Sequence, residues 1–367
     1  MVDNYERVAG REAIRVPRNT NLRRAKEAKN DEFYTQLNDV SNELKHYRPQ
    51  FKDKIVLCNC DDPTWSAFWK YFHLNFELLG LKKLISTHYD REQATYKMEY
   101  TGGDDNNIEA GIKTPLEGDG DFRNAECIEL LKEADIVVTN PPFSLMREYV
   151  AQLVEYDKQF LIVAPLHAVV YVDVLPLFKN NKIRLGHSTV KCFIRPDGTI
   201  AKIGNVVWVT NLNVQGHRIN FFKDCHEHFD SNKHLMCDNY CAWNIDKIAD
   251  IFMDEDIEVE VDDEKLEQIK KAYGSDATVL EAADSKTRVK IHNPIMGVPI
   301  TFLLKYNPEE FDFLGSDRAA TDQIVLDAYC GSKPVAGKLI VGGREKYTRL
   351  FIRRKRDSQE MEEPRTW

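Results

Sequence analysis

The chain has 367 residues, 43% of them hydrophobic and 30% charged, with a net charge of −9. This length suits one large domain or two modest ones. No apolar run approaches the ~20 residues of a membrane span, and residues 1–30 lack the apolar segment of a secretory leader, so a soluble cytoplasmic protein with no membrane partner is expected. The eight cysteines (Cys58, Cys60, Cys127, Cys192, Cys225, Cys237, Cys241 and Cys330) are scattered, and in this context they are expected to be reduced thiols. The negative charge is local. Residues 250–267 hold ten acids and one base, which accounts for all of it, and the remainder has 49 acids and 49 bases. Two stretches are basic: residues 1–30, where Arg23, Arg24, Lys26 and Lys29 lie close together, and residues 344–356, with seven bases and one acid. Local distribution matters more than the total, so a polyanionic partner is not excluded.

In chain order, residues 1–30 read as a polar arm. Lys54 to Cys58 is a short apolar strand. Thr64 to Leu79 carries apolar residues at helical spacing, and Gly80 stops the helix. Lys83 to Thr87 is the next strand, and the polar, Gly-containing stretch 89–116 reads as an irregular excursion. Asn124 to Glu133 is a helix and Ile136 to Thr139 a strand. Ser144 caps a helix to about Tyr156, and Gln159 to Ala164 and Asn205 to Thr210 are strands. Strand and helix alternating over ~110 residues predicts a mostly parallel central sheet flanked by helices, an α/β fold. After Asn211 the alternation fades. Glu264 to Tyr273 reads as an isolated helix and the acidic run as a solvated loop and helix. Ile295 to Leu304 is expected to return to the core, Tyr347 to Ile352 to form an edge strand, and residues 357–367 to be disordered. The expected units are therefore a basic arm (1–30), a catalytic domain (31–211), a target-recognition region with an acidic insertion (212–294), a C-terminal segment returning to the core (295–356) and a tail (357–367).

The most informative residues are Asn140-Pro141-Pro142-Phe143, directly after the strand. They put a side-chain amide and a backbone carbonyl at the carboxyl edge of a sheet, in a turn stiffened by two prolines, each with fixed φ and no N–H. An exocyclic amine such as adenine N6 is a poor nucleophile because its lone pair is delocalised into the ring. The Asn140 side-chain oxygen and the Pro141 carbonyl can each accept one N6 hydrogen, which localises that lone pair. Positioning and directed hydrogen bonds then carry the rate without a strong base. Phe143 would stack on the ring. A base inside a duplex cannot reach such a pocket, so it must be flipped out or single-stranded. Four letters can also be a plain turn, but the strand before and the helix after favour the chemical reading.

Asn140 to Phe143 resembles motif IV of the amino-methyltransferases. Longer stretches resemble the EcoRI-type adenine-specific DNA methyltransferases: residues 31–36 (Asp-Glu-Phe-Tyr-Thr-Gln), 59–63 (Asn-Cys-Asp-Asp-Pro), 118–123 (Gly-Asp-Gly-Asp-Phe-Arg), 136–149 and 296–303. The resemblance covers about residues 29 to 313. It implies a Rossmann-like class I methyltransferase fold, S-adenosylmethionine as methyl donor, N6 of adenine in a short double-stranded DNA sequence as target, and base flipping. It assigns Asn140, Pro141, Pro142 and Phe143 to catalysis. Phe33, Tyr34 and Thr35 match the motif that folds over the methionine end of the cofactor. Asn59, Cys60, Asp61 and Asp62 follow the first strand, where the cofactor turn belongs, although the usual Gly-rich turn is absent. S-adenosylmethionine has no phosphate to approach and carries an ammonium, so carboxylates are tolerable there. Asp121 and Phe122 match the residues that meet the cofactor's adenine, with Asp119 beside them, and Asp90 is the candidate for its ribose. Arg23, Arg24, Lys26 and Lys29 are candidates for the DNA backbone. A monomer is expected, and a cognate restriction endonuclease acting on the same site is the partner the resemblance implies.

Two other readings stay open from the residues. An Asn-Pro-Pro-aromatic edge also suits protein glutamine or RNA adenine methylation, and the altered turn at residues 58–63 leaves room for a non-catalytic DNA-binding module. Cys225, His226, His228, His234, Cys237 and Cys241 are metal-ligand types, but their spacing fits no standard finger, and no metal is expected.

Overall fold

The computed structural model describes residues 34–90, 94–195, 198–214, 227–282, 286–319, 322–330 and 337–355. The basic arm with Arg23, Arg24, Lys26 and Lys29, together with Phe33, Cys225, His226 and the tail, lies outside the described residues. A nine-stranded sheet forms the body of the molecule: β1 (Tyr34–Thr35), β2 (Ile55–Cys58), β3 (Lys83–His88), β4 (Tyr96–Tyr100), β5 (Ile112–Pro115), β6 (Ile136–Thr139), β7 (Gln159–Pro165), β8 (Arg184–Ile194) and β9 (Ile200–Thr210). Their order is β1-β8-β9-β7-β6-β2-β3-β4-β5. Only β3, β2, β6 and β7 run parallel to one another. Antiparallel strands flank them on both sides. The sheet is thus mixed, where the sequence pattern predicts a mostly parallel one.

The central strands show why the helices lie on both faces. Leu57, Val137 and Ile162 point into one apolar cluster with Leu130, Leu131, Val150 and Leu153. Their neighbours Val56, Val138 and Leu161 point into the other, with Val40, Leu44, Phe68, Trp69 and Phe72. Strand side chains alternate between faces, so runs such as Ile-Val-Val-Thr bury both. One face is covered by helices α1 (Leu37–Leu44), α2 (Ala67–Leu74) and α3 (Phe76–Leu79), the other by α4 (Ala125–Glu133) and α5 (Met146–Glu155). The chain runs outward from β2 through β3, β4 and β5, then returns to β6 on the other side of β2. The switch in strand order therefore falls between β2 and β6, and in open α/β sheets the crevice at such a point receives ligands.

Several local expectations are corrected. The helix expected over 64–79 is two helices, broken at Asn75, whose amide donates back to the Tyr71 carbonyl at 2.7 Å. Gly80 ends the second at φ +62°. The stretch 89–116 contains β4 and β5. Ser144 does not cap a helix: residues Phe143–Leu145 form a 3-10 turn and α5 starts at Met146. β8, which the pattern did not reveal, is bent between Leu185 and Thr189. That bend is held by Glu43 of α1, a fully buried carboxylate. It accepts from Tyr47 Oη (2.8 Å), His187 N (2.8 Å), Ser188 N (2.7 Å) and Ser188 Oγ (2.6 Å).

Beyond β9 a second sheet combines β10 (Trp243–Asn244), β14 (Met296–Pro299), β18 (Arg349–Arg354) and β15 (Phe311–Ser316), in that order. β18 is central in it rather than an edge, because Leu350, Phe351 and Ile352 are all buried. Of the loop and helix expected for the acidic run the helix is present, but much of the part read as loop is a strand. The run forms β11 (Asp256–Val261) and then α7 (Asp263–Tyr273), the latter following α6 (Leu175–Lys179) in the chain. β11 and β12 (Ala277–Ala282) both pair with β13 (Thr287–His292). Asp256 pairs with Lys290 (2.9 Å) and Glu258 with Arg288 (2.5 Å), so the acids meet bases across the strands. The basic C-terminal stretch is matched likewise: Arg349 and Lys346 with Asp246, and Arg354 with Glu255.

Two residues test how the sheet edge is held. Glu43→Ala strands four donors, the buried Tyr47 hydroxyl and three part-buried groups of His187 and Ser188, and an unsatisfied buried group costs about 1–3 kcal/mol. A loss of about 3 kcal/mol or more is expected from urea unfolding, and an unchanged midpoint would show that water replaces the carboxylate. Gly120 stands at φ +75°, and a Cβ there would lie 2.3 Å from the His88 carbonyl oxygen. Gly120→Ala is expected to lower stability by more than about 1–2 kcal/mol, the cost of the left-handed backbone alone, and an unchanged melting temperature would contradict it.

Candidate active site

β2 and β6 pair in parallel, Leu57 opposite Val137. Their carboxyl ends therefore release two turns side by side: residues 59–62 after β2 and residues 140–143 after β6. The first turn lacks glycines and is organised by side chains instead. Thr87 Oγ1 donates to the Asn59 carbonyl at 3.0 Å, and Ser86 Oγ donates to the Cys58 carbonyl at 3.2 Å and also bonds the Asp61 carbonyl.

Asp61 joins the two turns. It is 4% exposed. Its Oδ1 accepts from Ser66 Oγ at 3.1 Å, and its Oδ2 accepts from Thr139 Oγ1 and, at 3.4 Å, from the Asn140 backbone N–H. Burial pushes its pKa up to about 6, against the lowering effect of the hydrogen bonds from Thr139, Ser66 and Asn140. Ser66 also caps α2, accepting from Phe68 N (3.0 Å) and Trp69 N (3.3 Å).

Asn59 is 2% exposed, and its Oδ1 accepts from Tyr149 Oη. Burial drives the Tyr149 pKa well up, which keeps that hydroxyl protonated as a donor. The Asn59 Nδ2 is buried and has no hydrogen-bond partner among the described residues. The Tyr149 ring meets Phe122 edge to face, with centroids 4.9 Å apart. Burial also raises the Cys58 and Cys60 thiols, with the Asp61 carboxylate adding to it, so neither supplies a thiolate.

The remaining acids are drawn together by the backbone. Asp90 N donates to the Asp119 carbonyl at 3.1 Å, which brings the end of β3 to the 118–122 turn. Asp119 Oδ1 accepts from Asp121 N (3.1 Å) and Asn124 Nδ2 (2.7 Å). Arg123 grips both oxygens of Asp121 at 2.8 and 2.7 Å. Asp62 is occupied locally: it accepts from Thr64 N, Thr64 Oγ1 (both 2.8 Å) and Tyr96 Oη (2.9 Å), and His88 Nδ1 lies 2.9 Å away.

Aromatic contacts link β1 and β8 to these turns. Thr35 pairs with Phe193 in the sheet, and Phe193 meets Phe143 edge to face at 6.3 Å. Tyr34 lies on Trp65, with centroids 3.7 Å apart. The Thr35 hydroxyl is buried with no partner among the described residues. Pro141 is buried, and Asn140, Pro142 and Phe143 are half-buried. Thus Asp61 joins the 59–62 turn directly to Asn140, Thr35 is linked to Phe143 through Phe193, and Phe122 reaches Asn59 through Tyr149. Tyr149, Ser66, Thr139, Trp65 and Phe193 were not singled out in the sequence; only the aromatic and hydroxyl types near the motifs hinted at them. A cavity of about 400 Å³ lined by His46, Arg184, His187 and Tyr306 lies at the opposite sheet edge, where Arg184 pairs with Thr210. In the later region His228 pairs with Asp254 (3.0 Å), and His234 bonds the Asp230 N–H and the Asp250 carbonyl.

Comparison with known proteins agrees with the motif reading. The family model described as adenine-specific methyltransferase EcoRI matches residues 21–269. The chain is 36% identical over 365 residues to the Type II methyltransferase M.EcoRI of Escherichia coli, covering 91% of this chain and 96% of that protein. It is 31% identical to M.MgeORF184P of Mycoplasma genitalium (90% of this chain, 98% of the relative) and 31% identical to M.MpnI of Mycoplasma pneumoniae (91% and 98%). No solved structure matches. Among the described residues no helix is long and apolar enough to cross a membrane. With a family model over most of its length and relatives above 30% identity along nearly all of it, the chain belongs to the EcoRI family of adenine-specific methyltransferases.

Proposed function

We propose that this enzyme transfers a methyl group from S-adenosylmethionine to N6 of an adenine flipped out of a specific short sequence in double-stranded DNA. The observation that carries the reading is the side-by-side placement of the 59–62 and 140–143 turns at the switch between β2 and β6. In this reading β3, β2, β6 and β7 are the core of a Rossmann-like class I fold. The relatives' names, Type II methyltransferases, support DNA over RNA or protein as substrate. The protein would act as a cytoplasmic monomer. Residues 31–211 would form the catalytic unit, and residues from about 165 to 290 would supply most of the target recognition. A restriction endonuclease reading the same site is the partner that such an enzyme would oppose.

The residues fit the cofactor. It presents a carboxylate, an ammonium and a flat purine, and no phosphate. Asn59 Nδ2 and Thr35 Oγ1 are buried polar groups with no partner among the described residues; a donor of this kind suits the carboxylate. Tyr34 and Phe122 supply aromatic surface, and Asp90, Asp119 and Asp121 supply acceptors. When bound, S-adenosylmethionine supplies an electrophilic methyl group on a sulfonium.

The chain's own residues do the rest. The Asn140 side-chain oxygen and the Pro141 carbonyl accept the two N6 hydrogens, drawing the amine out of conjugation so that its lone pair stands clear of the ring. Phe143, braced edge-on by Phe193, packs on the flipped base. The methylated amine is a strong acid once cationic and loses its proton without a dedicated base. Positioning and preorganised acceptors thus carry the rate. Basic residues of the 1–30 arm, proposed at the DNA backbone, should make affinity fall with salt.

Tritiated methyl transfer into DNA, RNA and protein side by side tests the substrate: label is expected in DNA, at adenine. Asn140→Ala should cut transfer by about 100-fold or more, the loss typical of removing one preorganised polar group, while cofactor affinity by equilibrium dialysis stays near wild type. Normal turnover by that variant would sink the mechanism. Asn59→Ala should weaken cofactor binding about tenfold or more, as expected for a lost hydrogen bond to a charged group. Unchanged affinity would remove Asn59 from the cofactor set.

A further inference from the structure

We propose that Asp61 is a positioning residue for Asn140: its ionised carboxylate grips Thr139 and the Asn140 N–H, and so fixes the catalytic turn against the turn that follows β2. The inference rests on the reading of this site as a methyltransferase centre, and it moves Asp61 from the cofactor set to the amine-binding set.

The geometry carries it. Oδ2 accepts from Thr139 Oγ1 and from the Asn140 N–H at 3.4 Å, and Oδ1 accepts from Ser66 Oγ at 3.1 Å. The Asp61 carbonyl is bonded by Ser86 of β3. One residue thereby ties together the β2 turn, the N-terminus of α2, β3 and the end of β6. No Lys, Arg or His lies in ion-pair contact with it among the described residues, so its donors are neutral hydroxyls and one backbone N–H. Asn140 follows Thr139 directly, and a backbone N–H held from behind restricts how its side chain can turn. A side-chain acceptor misplaced by an ångström loses much of its catalytic effect.

The ionised form presents two full acceptor oxygens, and protonation weakens both and makes a donor of whichever oxygen takes the proton. A proton on Oδ2 sets an O–H against the Asn140 N–H and the Thr139 hydroxyl, and one on Oδ1 leaves Oδ2 a neutral carbonyl, a weaker acceptor than a carboxylate oxygen. Since burial holds this carboxyl's pKa up at about 6, the grip should loosen as pH falls through that value. The charged and titratable groups around it are Asp62, Cys60 and Cys58 on its own strand and turn, Tyr149 on α5, and His88 on β3 by way of Asp62. From β6 it meets only neutral donors.

The test is the pH dependence of the single-turnover methylation rate, with DNA and S-adenosylmethionine saturating. For the wild type the rate should fall about tenfold per pH unit below about 6, as for one essential ionised group. Asp61→Asn should lose about 30-fold or more at pH 8, with cofactor affinity near wild type, and lack that acid limb. Thr139→Val removes a donor and should move the limb to higher pH by about half a unit or more, while Thr139→Ser should leave it in place. His88→Asn should also leave it in place. Normal turnover of Asp61→Asn, loss of cofactor affinity in step with its rate, or an unmoved limb in Thr139→Val would overturn the proposal. Where Asp61→Asn fails to fold by circular dichroism, the Thr139 pair decides. Infrared difference spectra read the same carboxyl without activity: a carboxylic C=O band should grow as pH falls through about 6, and at higher pH in Thr139→Val. If the wild type methylates no DNA, the reading of the site fails, and the infrared band alone still decides for or against the grip.

Discussion

A carboxylate buried where β2 meets β6 holds the two turns of this site in register. Without the glycine loop common at the first strand of dinucleotide-binding folds, the 59–62 turn needs side chains to fix its backbone. Ser86, Thr87, Ser66 and Thr139 provide them, all short hydroxyls that fit a crowded edge. The arrangement depends on the parallel pairing of β2 with β6, since a one-residue slip would turn Thr139 to the other face and leave Asp61 buried with Ser66 as its remaining hydroxyl donor.

Charge follows the same economy elsewhere in the fold. The acidic run looks hostile to nucleic acid when read along the chain, but β13 lays Lys290 and Arg288 against Asp256 and Glu258. The basic C-terminal stretch spends Arg349, Lys346 and Arg354 on Asp246 and Glu255. Apart from the pair made by the buried Arg349, these pairs are at least partly exposed, and exposed pairs add little stability. Their main effect is to flatten the field over the second half of the molecule, so that a polyanion would feel local residues rather than a net charge of −9.

The sequence was legible where a local pattern decides the structure. The apolar runs 55–58, 136–139 and 159–165 are strands because both faces are buried, and Asn140 to Phe143 could be placed because a strand precedes it. It was not legible where distant partners decide. β4 and β5 are short and polar, with Lys97, Glu99 and Lys113 along them, and they are strands because β3 offers an edge. β8 carries Gly186, His187 and Ser188 in mid-strand, and it is tolerated because Glu43, more than 140 residues away, satisfies the bend. The helix over 64–79 breaks at Asn75, where the apolar spacing carried no warning. Around the site, the helix start after Asn124 was readable, whereas Tyr149 on Asn59 is a contact across 90 residues.

The raised pKa of Asp61 has an energetic consequence for the whole fold. Its folded value is about 6 against an ordinary 3.8. A carboxyl raised in this way favours folding below its unfolded pKa, and the benefit is lost as pH rises through the folded value. At neutral pH the ionised, buried group therefore disfavours folding by roughly 3 kcal/mol, at 1.36 kcal/mol per pKa unit. Thr139, Ser66 and the Asn140 N–H reduce that cost without cancelling it. A group that packing alone had selected would be neutral there, since a buried charge without a counter-ion is what folded proteins avoid. Its place at the junction of the two turns is consistent with the acceptor being kept for the site rather than for the fold.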